Sequence, residues 1–454
     1  MATREPTWLN EDASLSLHEL CEALLGELEL VYSATRPIPA AVADPPPFSD
    51  LGLGMDALPD LWASIREDSS KLAAPQMMGH MDTAPHPAAA LTDALVSALN
   101  NNLLFRELSP LASRLEELLL ADFAGRFGLA SGTPGLFCSG GSLANLTALF
   151  TACGGFAGTA PRDRCRLFTG SAAHSSIAKA AAVLGLSGEQ IQQVKSDDLG
   201  RIEPEALDQA LAAAPDGNNI VAAVFGSTIH GALDDPLAIS EVCKRRGAWF
   251  HLDAVYGGAL AFSHHHRGRL KGVAGADSLA WGPQKWLYVP RLSAVLFIKD
   301  PEIFERALAV DLPYSVSGAQ HRGRWGLQGS RRADVLPLWV TLQVMGTRRL
   351  GEIIDAGIAR AQRFHEILQN HPKAAPSHRP DLNLQAFRWG APDLSGERLA
   401  ALHGALTAAG GPWVSLARWQ GESLFRSVLL SPATEDADLD ALLMALQRAE
   451  TSLG

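Results

Sequence analysis

Lys285 stands in company that an ordinary surface lysine does not keep. It follows a glycine-proline turn in Ser278-Leu279-Ala280-Trp281-Gly282-Pro283-Gln284-Lys285-Trp286, with Tyr288 just beyond. Enclosure among Trp281, Trp286 and Tyr288 disfavours the ammonium form and lowers the amine's pKa, which is what a lysine that forms a Schiff base needs. A lysine lying over an aromatic surface through a cation–π contact would keep the same neighbours.

Three further stretches place polar groups where apolar runs end. In Phe250-His251-Leu252-Asp253-Ala254 an acid terminates such a run. Ligands of open parallel sheets sit outside the carboxyl ends of strands, so Asp253 is placed either to hold a ring nitrogen protonated or to cap the next helix. His251 points away from Leu252 and reads as structural. In Gly135-Leu136-Phe137-Cys138-Ser139-Gly140-Gly141-Ser142 a short strand meets a glycine pair and a hydroxyl at a helix start. Free backbone N–H groups and the helix dipole there suit a phosphate, although a plain glycine turn has the same composition. His174, in Ala172-Ala173-His174-Ser175-Ser176, and Thr228, in Phe225-Gly226-Ser227-Thr228, also close apolar runs. An imidazole at His174 could lie on a flat ring and carry protons.

Other polar clusters carry less. The run His264-His265-His266 has no spacing for one metal ion and reads as a solvated loop. Arg331 and Arg332 could recognise a substrate's second carboxylate, or pair with acids such as Asp334.

The elements that must position these residues follow from patterning. Residues 1–74 form an N-terminal arm with an amphipathic helix over Leu15 to Val31 and a breaker-rich stretch from Pro37 to Pro47. Residues 75–338 alternate helical segments with short apolar runs, the signature of a large α/β domain on a mostly parallel sheet. Its strand candidates are Leu136 to Cys138, Arg166 to Thr169, Ile220 to Phe225, Trp249 to Leu252, Ser278 to Trp281 and Ala294 to Ile298. Residues 339–454 open with a long helix and read as a small α+β domain, with Asn383 to Trp389 and Ser423 to Leu430 as strands.

A chain of 454 residues with 47% hydrophobic content can bury a large core. Its net charge of −11 gives no field to hold nucleic acid or an anionic membrane. No run of about eighteen apolar residues reads as a membrane span. The five cysteines are scattered without a C-x-x-C pair, and the first residues lack an apolar leader, so a reducing, cytoplasmic location is expected.

Taken in order, the motifs Gly79-His80-Met81, Ser139-Gly140-Gly141-Ser142, His174-Ser175-Ser176, Gly226-Ser227-Thr228, His251-Leu252-Asp253-Ala254, Pro283-Gln284-Lys285-Trp286 and Gly329-Ser330-Arg331-Arg332 resemble the group II pyridoxal 5'-phosphate (PLP) dependent amino-acid decarboxylases. This family includes the glutamate, aromatic amino-acid and 2,4-diaminobutyrate decarboxylases. The resemblance runs from about Pro75 to Leu338. It implies a PLP-dependent transferase-like fold type I with a mostly parallel seven-stranded sheet, and a homodimer with shared active sites. Lys285 would carry PLP, Asp253 would meet its pyridine nitrogen and His174 would stack on its ring. Gly140, Gly141 and Ser142 would cradle the phosphate, and Thr228 would lie near the cofactor. His80 and Asn102 fall where relatives line the substrate pocket, and capping or backbone roles are open to them too. The implied reaction releases carbon dioxide from an L-amino acid and leaves the amine.

Two departures bear on that reaction. The family places a histidine directly before the lysine, whereas this chain has Gln284, which can donate to phosphate but is never a cation. The family's loop tyrosine, the proton donor to Cα, falls in Asp311 to Trp325, where Tyr314 and His321 are the candidates. If neither delivers the proton, the chemistry is diverted to aldehyde formation, aminotransfer or carbon–carbon bond formation. A non-catalytic regulatory homologue is the third possibility.

Overall fold

The computed structural model describes residues 15–39, 42–43, 52–312, 321–390 and 395–453. The chain divides into two compact units, Ala84–Phe387 and a second made of Met1–Thr83 with Arg388–Gly454.

The larger unit is built on seven strands: β1 Gly135–Cys138, β2 Cys165–Thr169, β3 Ile191–Gln193, β4 Asn218–Val224, β5 Trp249–Ala254, β6 Ser278–Trp281 and β7 Ala294–Ile298. Their order across the sheet is β1-β7-β6-β5-β4-β2-β3. The run from β6 to β3 is parallel, while β7 lies antiparallel to both β6 and β1. All six expected strands are present, and β3 joins them at the edge. Central strands such as β6 and β7 are buried along their whole length, which is why they read as unbroken apolar runs and not as alternation.

The helix Gly141–Ala152 returns across the sheet, burying Ala144 and Ala148 against Ala280, Ala294 and Leu296. Small residues on both sides let the helix approach closely. Its other side joins Leu149 and Ala152 to Leu167, Ile220 and Ala222, so this one helix spans β2 to β7. On the opposite side of β6, Trp281 packs edge-on against Phe123 at 4.7 Å and lies over Phe262 at 5.8 Å.

The second unit contains the helices Leu17–Tyr32, Leu58–Asp68, Gly396–Ala409 and Asp436–Ser452 and the antiparallel hairpin Ser415–Trp419 with Glu422–Val428. The expected N-terminal helix is therefore present. It begins at a capping box in which Ser16 and Glu19 exchange hydrogen bonds. Both expected C-terminal strands form as well, as Leu384–Trp389 and Glu422–Val428. Among the described residues no helix is long and apolar enough to cross a membrane.

Candidate active site

The parallel register brings distant residues to one edge. Thr169 of β2 is level with Ala222 of β4, Val224 with Asp253 of β5, and Asp253 with Ala280 of β6. Just past these carboxyl ends the chain places His174, Thr228, Asp253 and Lys285 on four adjacent strands. Lys285 is half-buried on the short helix Pro283–Trp286, whose turn is closed by its own N–H donating to Gly282 O at 3.1 Å. The flanking rings turn to aromatic partners of their own: Trp281 to Phe123 and Phe262, and Trp286 to Tyr256 at 5.4 Å.

Asp253 is 6% exposed and acts as an acceptor at both oxygens. Oδ2 takes an N–H of Asn145 at 2.7 Å and Oδ1 the backbone N–H of Val255 at 3.1 Å. His174 is exposed and starts the helix Ser175–Val183, where its Nδ1 accepts the backbone N–H of Ser176 at 3.2 Å. On the same face of β5 as Asp253, His251 is fully buried and its pKa is pushed down to about 4 by desolvation. It is a neutral ring.

An anion cradle lies beside them. Gly140 adopts φ 90°, ψ 164°, a conformation closed to other residues, and begins the helix Gly141–Ala152 with no side-chain cap. Its own N–H is spent on Cys138 O at 2.7 Å, so the donors left at this helix start come from the residues after it. A Cβ on Gly141 would lie 2.8 Å from Val255 Cγ2, so the helix can sit this close to the Asp253 strand only with glycine there. Ser139 is clamped twice by Gln328, which accepts its N–H at 3.2 Å and donates to its Oγ at 2.9 Å. Gln284 Oε1 accepts the Ser293 N–H at 2.7 Å. The buried Ser293 Oγ has no hydrogen-bond partner among the described residues. The residue before it, Leu292, packs its side chain on the Gly140 turn. Such a collection of spare donors fits a phosphate.

Asn102 and His321 have their partners on other segments of the same unit. Asn102 donates to Ser330 Oγ at 3.1 Å and accepts from the N–H groups of Leu104 at 2.9 Å and Arg331 at 3.3 Å, holding the backbone of two segments together. His321 is 5% exposed, packs edge-on against Phe105 at 5.0 Å and accepts the Arg106 N–H at 3.3 Å. His80 belongs to the other unit, where its ring packs on Trp413 at 5.1 Å. Tyr314 lies outside the described residues. Asn145, Gln328 and Ser293 escaped the reading of the sequence. None of them carries a local signal in the sequence.

Residues 58–389 match the family model of the pyridoxal-dependent decarboxylase conserved domain. Cysteine sulfinic acid decarboxylase of Mus musculus is 29% identical over 84% of this chain and 83% of that protein. L-2,4-diaminobutyrate decarboxylase of Rhizobium meliloti is 28% identical over 92% of this chain and 86% of that protein. The crystal structure of mouse CSAD superposes with a TM-score of 0.87 at 25% identity, covering 95% of this chain and 98% of that one. The chain therefore belongs to the pyridoxal-dependent decarboxylase family, has its fold type I architecture, and is a PLP-dependent carboxy-lyase acting on amino acids.

Proposed function

We propose that this protein converts an L-amino acid to the corresponding amine and carbon dioxide, with Lys285 as the amine that carries PLP. The observation that supports this most is the convergence of His174, Thr228, Asp253 and Lys285 at the ends of four neighbouring strands, beside an anion cradle. When bound, the cofactor supplies an electron sink for the pair left at Cα as the carboxylate departs. Asp253 would hold a proton on the ring nitrogen, and His174 would cover the ring. Backbone N–H groups of Gly141 and Ser142 donate to the phosphate, with Gly140 shaping the turn and Thr228 adding a hydroxyl nearby. Gln284 contributes an amide N–H where relatives have a potential cation, so the phosphate is held by neutral donors on that side.

His321 and Tyr314 are the two proposed proton donors to Cα. With its Nδ1 accepting from Arg106, a neutral His321 carries its proton on Nε2. Asn102 acts on the substrate side through the Ser330–Arg331 segment that it holds. A homodimer with shared active sites is part of the same reading. Leu91, Leu95 and Leu99 form an exposed row along the helix Pro87–Leu99, with Leu111 and Leu118 exposed on Pro110–Arg126, an apolar surface that a second subunit would cover.

The test is incubation of PLP-loaded protein with carboxyl-labelled L-amino acids, cysteine sulfinate and 2,4-diaminobutyrate among them. Labelled carbon dioxide with an equal amount of amine is expected from at least one. Retention of the carboxyl label in every product would overturn the proposal, and keto acid or hydrogen peroxide in place of amine would move the chemistry to aminotransfer or aldehyde formation.

A further inference from the structure

Asp253 and His174 are joined through one buried side chain. Asn145 is 1% exposed and reaches Asp253 Oδ2 at 2.7 Å, Ser176 Oγ at 2.9 Å and His251 Nε2 at 3.1 Å. Beyond these, Ser176 Oγ meets His174 Nδ1 at 2.8 Å. On the other side His251 Nδ1 and Trp249 Nε1 each lie 2.9 Å from Ser278 Oγ. Trp249, His251 and Asp253 alternate along β5 and so share the face turned to Asn145.

The direction of every bond follows from the two ends. An indole N–H only donates, so Ser278 Oγ accepts from Trp249; at the other end the Asp253 carboxylate only accepts, which sets Asn145 Oδ1 toward His251 Nε2 and leaves Nδ1 of the neutral ring to accept the Ser278 hydroxyl hydrogen. The neutral His251 then carries its proton on Nε2 and donates to Asn145 Oδ1. This orients the amide, whose two hydrogens go to Asp253 and to Ser176 Oγ. The Ser176 hydroxyl, already accepting, passes its hydrogen to His174 Nδ1, which accepts the Ser176 backbone N–H as well. Turning the amide over would set its carbonyl against the Asp253 carboxylate and its donor against the His251 N–H.

We propose that Asn145 is a positioning residue for both groups assigned to the cofactor ring: it keeps Asp253 an acceptor and, through Ser176, holds His174 as the Nε2–H tautomer. His251, Ser278 and Trp249 brace it from behind. The inference rests on the cofactor roles of Asp253 and His174 given above.

Its test uses the cofactor-free protein labelled with nitrogen-15, the His174 ring signals being identified by their loss in His174→Gln. In the wild type, Nδ1 should resonate as an unprotonated, hydrogen-bonded nitrogen. Ser176→Ala should move that resonance toward the unbonded value and weaken PLP, measured by titration, less than loss of Asn145 does, because the Asn145 bond to Asp253 survives. Asn145→Ala should move the resonance and also raise the Kd for PLP by at least about tenfold, the effect of one hydrogen bond to a charged group. Asn145→Ser, which retains one donor hydrogen, serves if the alanine variant does not fold, and should weaken PLP less. A wild-type His174 protonated at Nδ1, a resonance unmoved by Ser176→Ala, or PLP affinity unmoved by either Asn145 variant would overturn the proposal. A wild-type protein that bound no PLP would defeat the function proposed above and still leave the tautomer readable.

Discussion

Arg331 clasps the carboxylate of Glu116 with both terminal nitrogens, Nη1 to Oε1 at 2.7 Å and Nη2 to Oε2 at 3.1 Å. Glu116 is 1% exposed and the Arg331 side chain 7%, and Nη1 also donates to Phe137 O at 3.2 Å. The pair ties the helix Pro110–Arg126 and β1 to the segment that follows His321. Arg332 is engaged in the same way by Asp93 at 2.6 Å and Asp334 at 2.9 Å. Both arginines are thus bound to the protein's own acids, the structural reading of their sequence.

Removing one partner strands the other. Glu116→Ala leaves Arg331 buried without its counter-charge and takes one of two acids from Arg322, whose Nε lies 3.6 Å from the same carboxylate and whose Nη2 lies 3.8 Å from Glu117. The expected loss is about 3–5 kcal/mol. Urea unfolding checks it, and an unchanged midpoint would contradict the prediction. Replacing both members by methionine should cost less than Glu116→Ala alone, because Arg331 is then not left as a buried, unpaired charge.

Acid should weaken the buried histidine. Burial holds His251 near 4, below its unfolded value of about 6.5. The unfolded chain therefore binds the proton first, so the His251 contribution is fully present above pH ~6.5 and is lost as pH falls toward ~4. Asp234 and Asp334, both pushed up to about 6 by burial, have the opposite sign: their contribution is present below ~3.9 and lost as pH rises through ~6. The histidine must be read by difference. Between pH 7 and 5 the stability gap between wild type and His251→Gln should shift against the wild type by about 2 kcal/mol. A pH-independent gap would refute this.

Thiol labelling separates access from acidity. The Cys153 thiol, and then Asn218, push Cys165 below the usual thiol range, which favours the reactive thiolate. Yet its exposure is zero, whereas Cys21 is exposed. Burial pushes Cys138 and Cys243 up to about 12. Access should win, and a disulfide reagent should label Cys21 rapidly in the native protein and the other four only after unfolding. Mass mapping that finds Cys165 labelled first would contradict this ranking.

Gly140 should tolerate no side chain. Its φ of 90° with ψ of 164° is a glycine conformation, and a Cβ would lie 3.2 Å from Leu292 Cδ2. Gly140→Ala is expected to cost about 1–3 kcal/mol and to weaken PLP binding. Thermal unfolding and cofactor titration measure the two effects, and a variant indistinguishable from wild type in both would rule out the cradle's dependence on this turn.

Much of the framework was legible because buried parallel strands write themselves as short apolar runs. Edge strand β3 was not: Ile191 is only half-buried and Gln192 and Gln193 are exposed, so no apolar run marks it. Residues that end a strand, such as Asp253 and His174, could be read as site candidates from position alone. The groups that orient them could not. Gln328 reaches Ser139 from 189 positions away, and Asn145 looks like any helix amide until its three partners are folded around it. His321 and Asn102 were nominated by the family resemblance, and the fold gives each of them backbone partners that no spacing rule contains.

The account stands on Lys285 as the residue that carries the cofactor. Borohydride reduction of the PLP-loaded protein, followed by peptide mass mapping, tests it most directly. The prediction is one phosphopyridoxyl label per chain, on the peptide containing Pro283-Gln284-Lys285-Trp286, and none on that peptide in Lys285→Ala. A label on another lysine, or a wild-type protein left unlabelled, would contradict it.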